Sequence, residues 1–313
     1  MIRAAGIIGL GVMGLPMARN LARKLPEEAR EAGLLVYDAD QRRIDELTAE
    51  SAGGKDGAAR IIPVGDAGEL ARRADLVFLS LPTSEVVRGV TLGDGNGPGI
   101  AGFLKKGSIV ADTSTTETGV VKALAAELEK RGIEFADTPV SGGEKGAREG
   151  TLSFMVGAKD DVFDAVRDYC AAMGSSVVHM GGIASGQIAK AVNQMIVGAA
   201  FAAIAESFSL GVKSGLDAKR LYEALKGGWA GSRVLDVAAG DMFSREFKPG
   251  GTVDIHWKDL GYALSLSKDT DVPVPVTALV HELFKAARAH GDGRKSQSAV
   301  VRLWDSLLNQ EVK

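Results

Sequence analysis

The first half of the chain alternates two patterns. Short apolar runs at residues 5–8, 34–37, 76–80, 108–111 and 134–136 read as strands buried on both faces. Between them lie stretches with helical spacing of apolar positions, such as 14–24 and 117–131. Alternation of this kind predicts a mostly parallel sheet with crossover helices. Runs at 152–156 and 177–179, flanking a helical segment over 161–173, read as closing strands of the same sheet. Beyond residue 182 the pattern is helical throughout, over 187–213, 217–227, 232–241, 258–269, 276–290 and 298–309, and Pro273 with Pro275 marks a break between two of these segments. The expected fold is α/β: a domain with a mostly parallel sheet over 1–181, then an all-α domain over 182–313, joined through a long interdomain helix.

Composition narrows the function without naming it. With 313 residues there is room for both domains, and 45% hydrophobic with 25% charged residues is ordinary globular composition. A formal net charge of -3 offers no basic field for nucleic acid. The single Cys170 excludes an internal disulfide and a multi-cysteine metal site, and it fits a reducing cytoplasm. The four histidines are not paired at metal-ligand spacing, so no metal is expected. Residues 1–18, with an early Arg3 and an apolar run, superficially resemble a secretory signal, but four glycines and Pro16 interrupt them. The uncharged stretch 191–205 is fifteen residues, short of the roughly 20 that a spanning helix needs, so no membrane segment is expected. Segments 51–60 and 93–99, rich in glycine, read as surface loops.

The stretch Gly186-Gln-Ile-Ala-Lys190-Ala-Val-Asn193-Gln194 opens the long helix. Lys190, Asn193 and Gln194 stand at i, i+3 and i+4, so their side chains share one face and can converge on one ligand. A cation is poorly placed in a helix's first turns, where the macrodipole favours anions. Lys190 therefore reads either as a solvated surface lysine or as a partly desolvated group at a domain junction. In the second case burial lowers its pKa toward proton transfer.

Gly9-Leu10-Gly11-Val12-Met13-Gly14 follows a strand and opens a helix, and Asp38 ends the next strand. The first glycine permits a tight turn, the second a close approach of backbone to a pyrophosphate, and the third close helix packing, with the phosphates at the helix's positive end. In that context the motif is a credible dinucleotide fingerprint, and the first domain reads as a Rossmann domain. Asp38 would accept hydrogen bonds from ribose hydroxyls and repel a 2′-phosphate, which favours NAD, while Arg42 and Arg43 keep NADP possible. Leu81-Pro82-Thr83 and Asp112-Thr113-Ser114-Thr115 end two further strands, where open parallel sheets bind ligands. Leu81, Pro82 and Thr115 are therefore candidate cofactor neighbours. Asp137-Thr-Pro-Val-Ser141-Gly142-Gly143 offers a hydroxyl and unobstructed N–H groups, a donor cluster suited to a carboxylate.

These motifs, with Pro16-Met-Ala after the first and Lys258-Asp-Leu260 after the last, occur in the order typical of the β-hydroxyacid dehydrogenases, and the chain resembles that family over nearly its whole length. The resemblance implies NAD(P)-dependent oxidation or reduction of a small hydroxy or oxo acid. It implies Lys190 as the catalytic residue and Ser141, Gly142, Gly143, Asn193 and Gln194 as substrate-binding, with Lys258 on the nicotinamide side. It also implies a helical domain that makes a homodimer or homotetramer. Asn193-Gln194, where many relatives carry two asparagines, implies reduction of tartronate semialdehyde to D-glycerate. Gly227-Gly-Trp-Ala-Gly-Ser232, Phe247-Lys-Pro-Gly250 and Asp254-Ile-His-Trp-Lys258 point the same way. The nearest rivals are 3-hydroxyisobutyrate and L-threonate-type dehydrogenases, and from another class a catalytically silent dinucleotide-binding protein. Imine reductases tend to replace the lysine. Trp229 and Trp257 read as core-filling and His256 as a satisfied polar group.

Overall fold

The computed structural model describes residues 2–51, 58–95 and 97–313, with Glu50 and Ser51 described as backbone only. The loop expected at 51–60 thus lies largely outside the described residues, as does Asn96 within the loop at 93–99. The chain divides into two compact units, Met1–Lys190 and Ala191–Lys313.

The first unit is built on nine strands: β1 (Ala5–Ile8), β2 (Leu34–Tyr37), β3 (Ile61–Pro63), β4 (Leu76–Leu79), β5 (Ile109–Asp112), β6 (Glu134–Asp137), β7 (Val140–Ser141), β8 (Leu152–Gly157) and β9 (Gly174–Gly181). Their order is β3-β2-β1-β4-β5-β6-β8-β7, with β9 beside β8. From β3 to β6 the neighbours are parallel, while β8 runs antiparallel to β6 and β7 and parallel to β9. The strand order reverses between β1 and β4, the switch point where such sheets bind ligands. Two strands escape the sequence pattern. β3 is three residues ending in Pro63, and β7 is a two-residue stretch held by β8.

Side chains alternate across each strand, and the core is split accordingly. Ile7 and Phe78 face one layer with Met17, Leu21 and Phe154. Ile8, Val77 and Leu79 face the other with Leu70, Val110 and Leu124. Near-complete burial of β1, β4 and β5 is why these strands read as continuous apolar runs.

The long helix runs Ser185–Lys213. It enters through Ala184, which is buried and held at φ 75, a left-handed conformation unusual for a residue with a Cβ. Close approach at this entry depends on missing side chains. A Cβ on Gly186 would collide with the Met155 carbonyl of β8, and one on Gly157 would lie 2.6 Å from Asp137 Oδ1 and 2.7 Å from the Gly186 nitrogen. At 29 residues, with a window of mean hydropathy 1.8, this helix is long and apolar enough by composition to cross a bilayer, where the uncharged stretch alone is not. A third of that window is buried, and the helix carries the buried polar side chains Gln187, Lys190 and Gln194, with Gln187 and Gln194 hydrogen-bonded to other parts of the chain.

The second unit contains helices Ala218–Leu225, Arg233–Ser244, Val253–Thr270, Pro275–Ala287 and Arg302–Leu308 around Phe201, Phe208, Val253, Leu260 and Phe284. Asp217, Ser232 and Thr252 cap the first three by accepting N–H groups three residues on. The Thr252 cap starts its helix at Val253 instead of 258. Trp229 corrects the expectation of core filling, being fully exposed, whereas Trp257 is half-buried against the core of this unit, stacked on His281 at 5.4 Å with the Arg288 guanidinium 3.9 Å from its ring. His256 is buried, with Nε2 3.1 Å from the Gln194 carbonyl.

Gly186→Ala is expected to destabilise the chain by about 2 kcal/mol, because overpacking a rigid contact is not relieved locally. Gly182→Ala, at an exposed glycine whose added Cβ meets nothing within 4 Å, is the control. Chemical denaturation of both variants reads the difference.

Candidate active site

The glycine turn after β1 separates glycines that the protein itself requires from one that it does not. Gly9 has φ +97, and a Cβ there would strike the Ser80 carbonyl; one on Gly14 would strike the Gly9 carbonyl. Gly11 is different: its Cβ would meet only Arg43 Nη1, at an ordinary 3.5 Å. Helix Gly14–Arg23 starts without a side-chain cap and without an acidic residue in its first turn. An open cradle at Gly11 beside an uncapped helix N-terminus fits a dinucleotide's pyrophosphate. Leu10 is buried here, Met13 half-buried and Val12 exposed.

At the end of β2, Asp38 is tied into this turn. Its Oδ2 accepts the Leu10 N–H at 2.6 Å and its Oδ1 the Asp40 N–H at 2.8 Å. Arg43 Nη1 lies 3.4 Å from Asp38 Oδ2, and Arg42 pairs with both oxygens of Asp40 at 2.9 and 2.8 Å. The Arg42 hydrogen bond lowers the Asp40 carboxyl to about 2. Both arginines are thus engaged by the acidic pair.

The ends of β4, β5 and β6 are joined by a buried polar network. The Ser114 hydroxyl accepts the Leu81 N–H at 2.9 Å; Pro82 beyond it is exposed and Thr115 half-buried. Asp112 accepts the Ser114 N–H at 3.0 Å and the Thr116 hydroxyl at 2.6 Å. Gln187 bridges from the long helix, accepting the Thr116 N–H at 3.1 Å and donating to the Ser114 carbonyl at 2.8 Å. Asp137, fully buried, accepts the Ala184 N–H at 2.7 Å and the Gln187 N–H at 2.8 Å. Burial pushes its carboxyl up to about 7, and nearby Asp112 adds to this, against the pull of the backbone N–H groups.

Ser141 ends β7, and Gly142 and Gly143 follow at φ 130 and φ 62. A Cβ on Gly143 would meet nothing within 4 Å, so the open side of this turn is not filled by the chain. Lys190 is 8% exposed, one turn beyond Gln187. In the second unit Asn193 Nδ2 donates to Gln194 Oε1 at 2.8 Å, and Gln194 Nε2 donates to Asp259 Oδ2 at 2.7 Å. Lys258 Nζ sits 3.2 Å from Asp259 Oδ1 and 5.0 Å from the Tyr262 ring centre. Four participants went unassigned by motif reading: Asp112, Asp137, Gln187 and Asp259. Each stands inside a quoted motif, and a carboxylate or amide at a buried strand end or helix start was the available signal.

Known proteins are similar to this chain over nearly its whole length. Residues 4–182 match the model of the NAD binding domain of 6-phosphogluconate dehydrogenase. Residues 184–304 match that of the NAD-binding domain of NADP-dependent 3-hydroxyisobutyrate dehydrogenase. The chain is 35% identical to 2-hydroxy-3-oxopropionate reductase of Escherichia coli (strain K12), over 98% of this chain and 99% of that protein. It is 33% identical to 2-(hydroxymethyl)glutarate dehydrogenase of Eubacterium barkeri, over 98% and 96%. The crystal structure of 3-hydroxyisobutyrate dehydrogenase from Salmonella typhimurium superposes with a TM-score of 0.82 at 25% identity, covering 96% of this chain and 99% of that one.

Two outcomes follow from this geometry. Gly11→Val is expected to weaken dinucleotide binding by at least about tenfold with the thermal midpoint nearly unchanged, whereas Gly14→Ala lowers the midpoint itself; cofactor titration and melting separate the two. Asp137 holds its proton to a higher pH in the folded chain than the ordinary value of 3.8 allows in the unfolded one. Its contribution to stability is therefore full below about pH 4 and declines as pH rises to about 7. Asp137→Asn is expected to flatten that decline in denaturation midpoints measured from pH 4 to 8.

Proposed function

The chain belongs to the β-hydroxyacid dehydrogenases, NAD(P)-dependent oxidoreductases of small hydroxy acids, and on that premise we propose that it reversibly reduces tartronate semialdehyde to D-glycerate. The observation that carries the reading is Lys190: a lysine 8% exposed, on a helix whose start is fixed by Asp137 and Gln187. The choice of acid is supported by the identity to the Escherichia coli reductase and by the Asn193-Gln194 pair. The 3-hydroxyisobutyrate reading is its nearest rival, favoured by the Salmonella typhimurium superposition.

In this reading the bound nicotinamide supplies or accepts the hydride at the substrate's carbonyl carbon. The ammonium of Lys190 protonates the oxyanion that forms in reduction, and its neutral amine takes the hydroxyl proton in oxidation. The Ser141 hydroxyl and the N–H groups at Gly142 and Gly143 hold the substrate carboxylate. Asn193 orients a hydroxyl, since an amide transfers no proton. Gly9, Gly11 and Gly14 cradle the pyrophosphate, Asp38 takes the ribose hydroxyls, and Leu10, Val12, Met13, Leu81, Pro82, Thr115 and Lys258 are neighbours of the cofactor. Engagement of Arg42 and Arg43 by Asp40 and Asp38 supports NAD over NADP.

The same reading divides the chain into a cofactor domain over 1–181 and a helical domain over 182–313, and places the enzyme in the cytoplasm. It also includes self-association. Ile188, Val192 and Ile196, at i, i+4 and i+8, are 39%, 50% and 66% exposed, an apolar stripe that a second copy would cover.

Lys190→Ala is expected to lower kcat/KM by about 100- to 10,000-fold, the range for loss of a general acid–base group, with the NADH dissociation constant within about threefold of wild type. Activity retained within tenfold removes the assigned role. Wild-type rates with tartronate semialdehyde, D-glycerate, 3-hydroxyisobutyrate and L-threonate, followed at the nicotinamide absorbance with NAD(H) and NADP(H), decide substrate and cofactor together.

A further inference from the structure

We propose that Asp259, acting through Gln194, fixes which way the amide of Asn193 points, and so makes the site select an oxo acid bearing a hydroxyl next to its reacting carbon. This rests on the reading that Asn193 orients the substrate. Gln194 then becomes a positioning residue, not a substrate contact.

Hydrogen-bond chemistry determines the orientation. Asp259 is 2% exposed, and the Lys258 ammonium lies 3.2 Å from its Oδ1. A carboxylate only accepts. Gln194, 8% exposed, must therefore turn its NH₂ toward Asp259, and does so at 2.7 Å. Its oxygen is left facing Asn193, which must answer with a donor, and Asn193 Nδ2 stands 2.8 Å away. Reversing the Asn193 amide would set two carbonyl oxygens against each other at that distance. Its nitrogen is thus committed to Gln194 and its oxygen is directed the other way. A substrate hydroxyl donates to such an oxygen; a methyl in the same place cannot.

Residue 194 is held rigidly enough to transmit this polarity. His256 and Asp259, three residues apart on helix Val253–Thr270, grip its main chain and its side chain respectively. Gly198 makes room for that grip, since a Cβ there would lie 2.5 Å from His256 Nε2. The longer glutamine side chain makes the reach to Asp259; an asparagine would be shorter by one methylene.

The test compares tartronate semialdehyde with methylmalonate semialdehyde, which differ only by hydroxyl against methyl beside the aldehyde. Wild type is expected to prefer the hydroxylated acid by about 100-fold or more in kcat/KM. Asp259→Asn, which lets position 259 donate, should cut that preference at least about tenfold. Gln194→Met should do the same and serves if D259N fails to fold, as judged by NADH binding. The double variant D259N/Q194E restores the logic, because the new carboxylate at 194 accepts from both neighbours; its preference should return to within about threefold of wild type. A structural role alone gives no such rescue. Unchanged preference in D259N and Q194M, or loss without recovery in the double variant, overturns the proposal. A wild type that prefers the methyl compound, or turns over neither, sinks the substrate reading. The relay is then judged by hydrogen exchange of the Asn193 and Gln194 side-chain amides. Protection in wild type and the double variant but not in D259N supports it, and equal exchange in all three overturns it.

Discussion

A single buried carboxylate fixes where the long helix begins. Asp137, at the end of β6, accepts N–H groups from Ala184 and Gln187. These are among the helix-start donors that have no partner within the helix. Gly157 and Gly186 let the backbone close around that carboxylate, and Ala184 takes a left-handed conformation to present its N–H. The arrangement is over-determined, as strained conformations require. Gln187 then repeats the connection to the end of β5. With its first turn fixed twice, the helix presents Lys190 at a defined place instead of leaving a long cation to its rotamers.

Glycine serves three separate purposes. At Gly9 and Gly14 it allows one stretch of backbone to touch another, and at Gly186 a helix to lie against a strand. Gly198 admits a histidine ring. At Gly11 and Gly143 the protein gains no contact from the missing side chain. The two positions fall in the motifs for pyrophosphate and for carboxylate.

The second unit handles polarity differently. Its buried amides and carboxylate are arranged so that each group's donor or acceptor character dictates the next, starting from Asp259, whose Oδ1 lies 3.2 Å from the Lys258 ammonium. Buried polar chains of this kind rigidify when fully satisfied and are costly when broken. Lys258 thus has a structural duty beside any duty toward the cofactor.

Much of this was legible in the chain. Two-sided burial wrote β1, β2, β4, β5 and β6 as apolar runs, and the glycine spacing marked the turn after β1, because strand and turn signals are local. Lys190, Asn193 and Gln194 could be placed on one helix face from spacing alone. Tertiary structure decided the rest. β3 and β7 are too short to carry a pattern and exist only through their neighbours. Trp229, bulky and apolar, is expected inside by composition and lies in solvent, because burial depends on what surrounds a residue. The partners of Asp112, Asp137 and Asp259 are 47 or more residues away for the long-range contacts of the latter two, and at the β5 end they are completed by Gln187. A sequence shows which side chains are able to donate or accept; only the folded chain decides which of them meet.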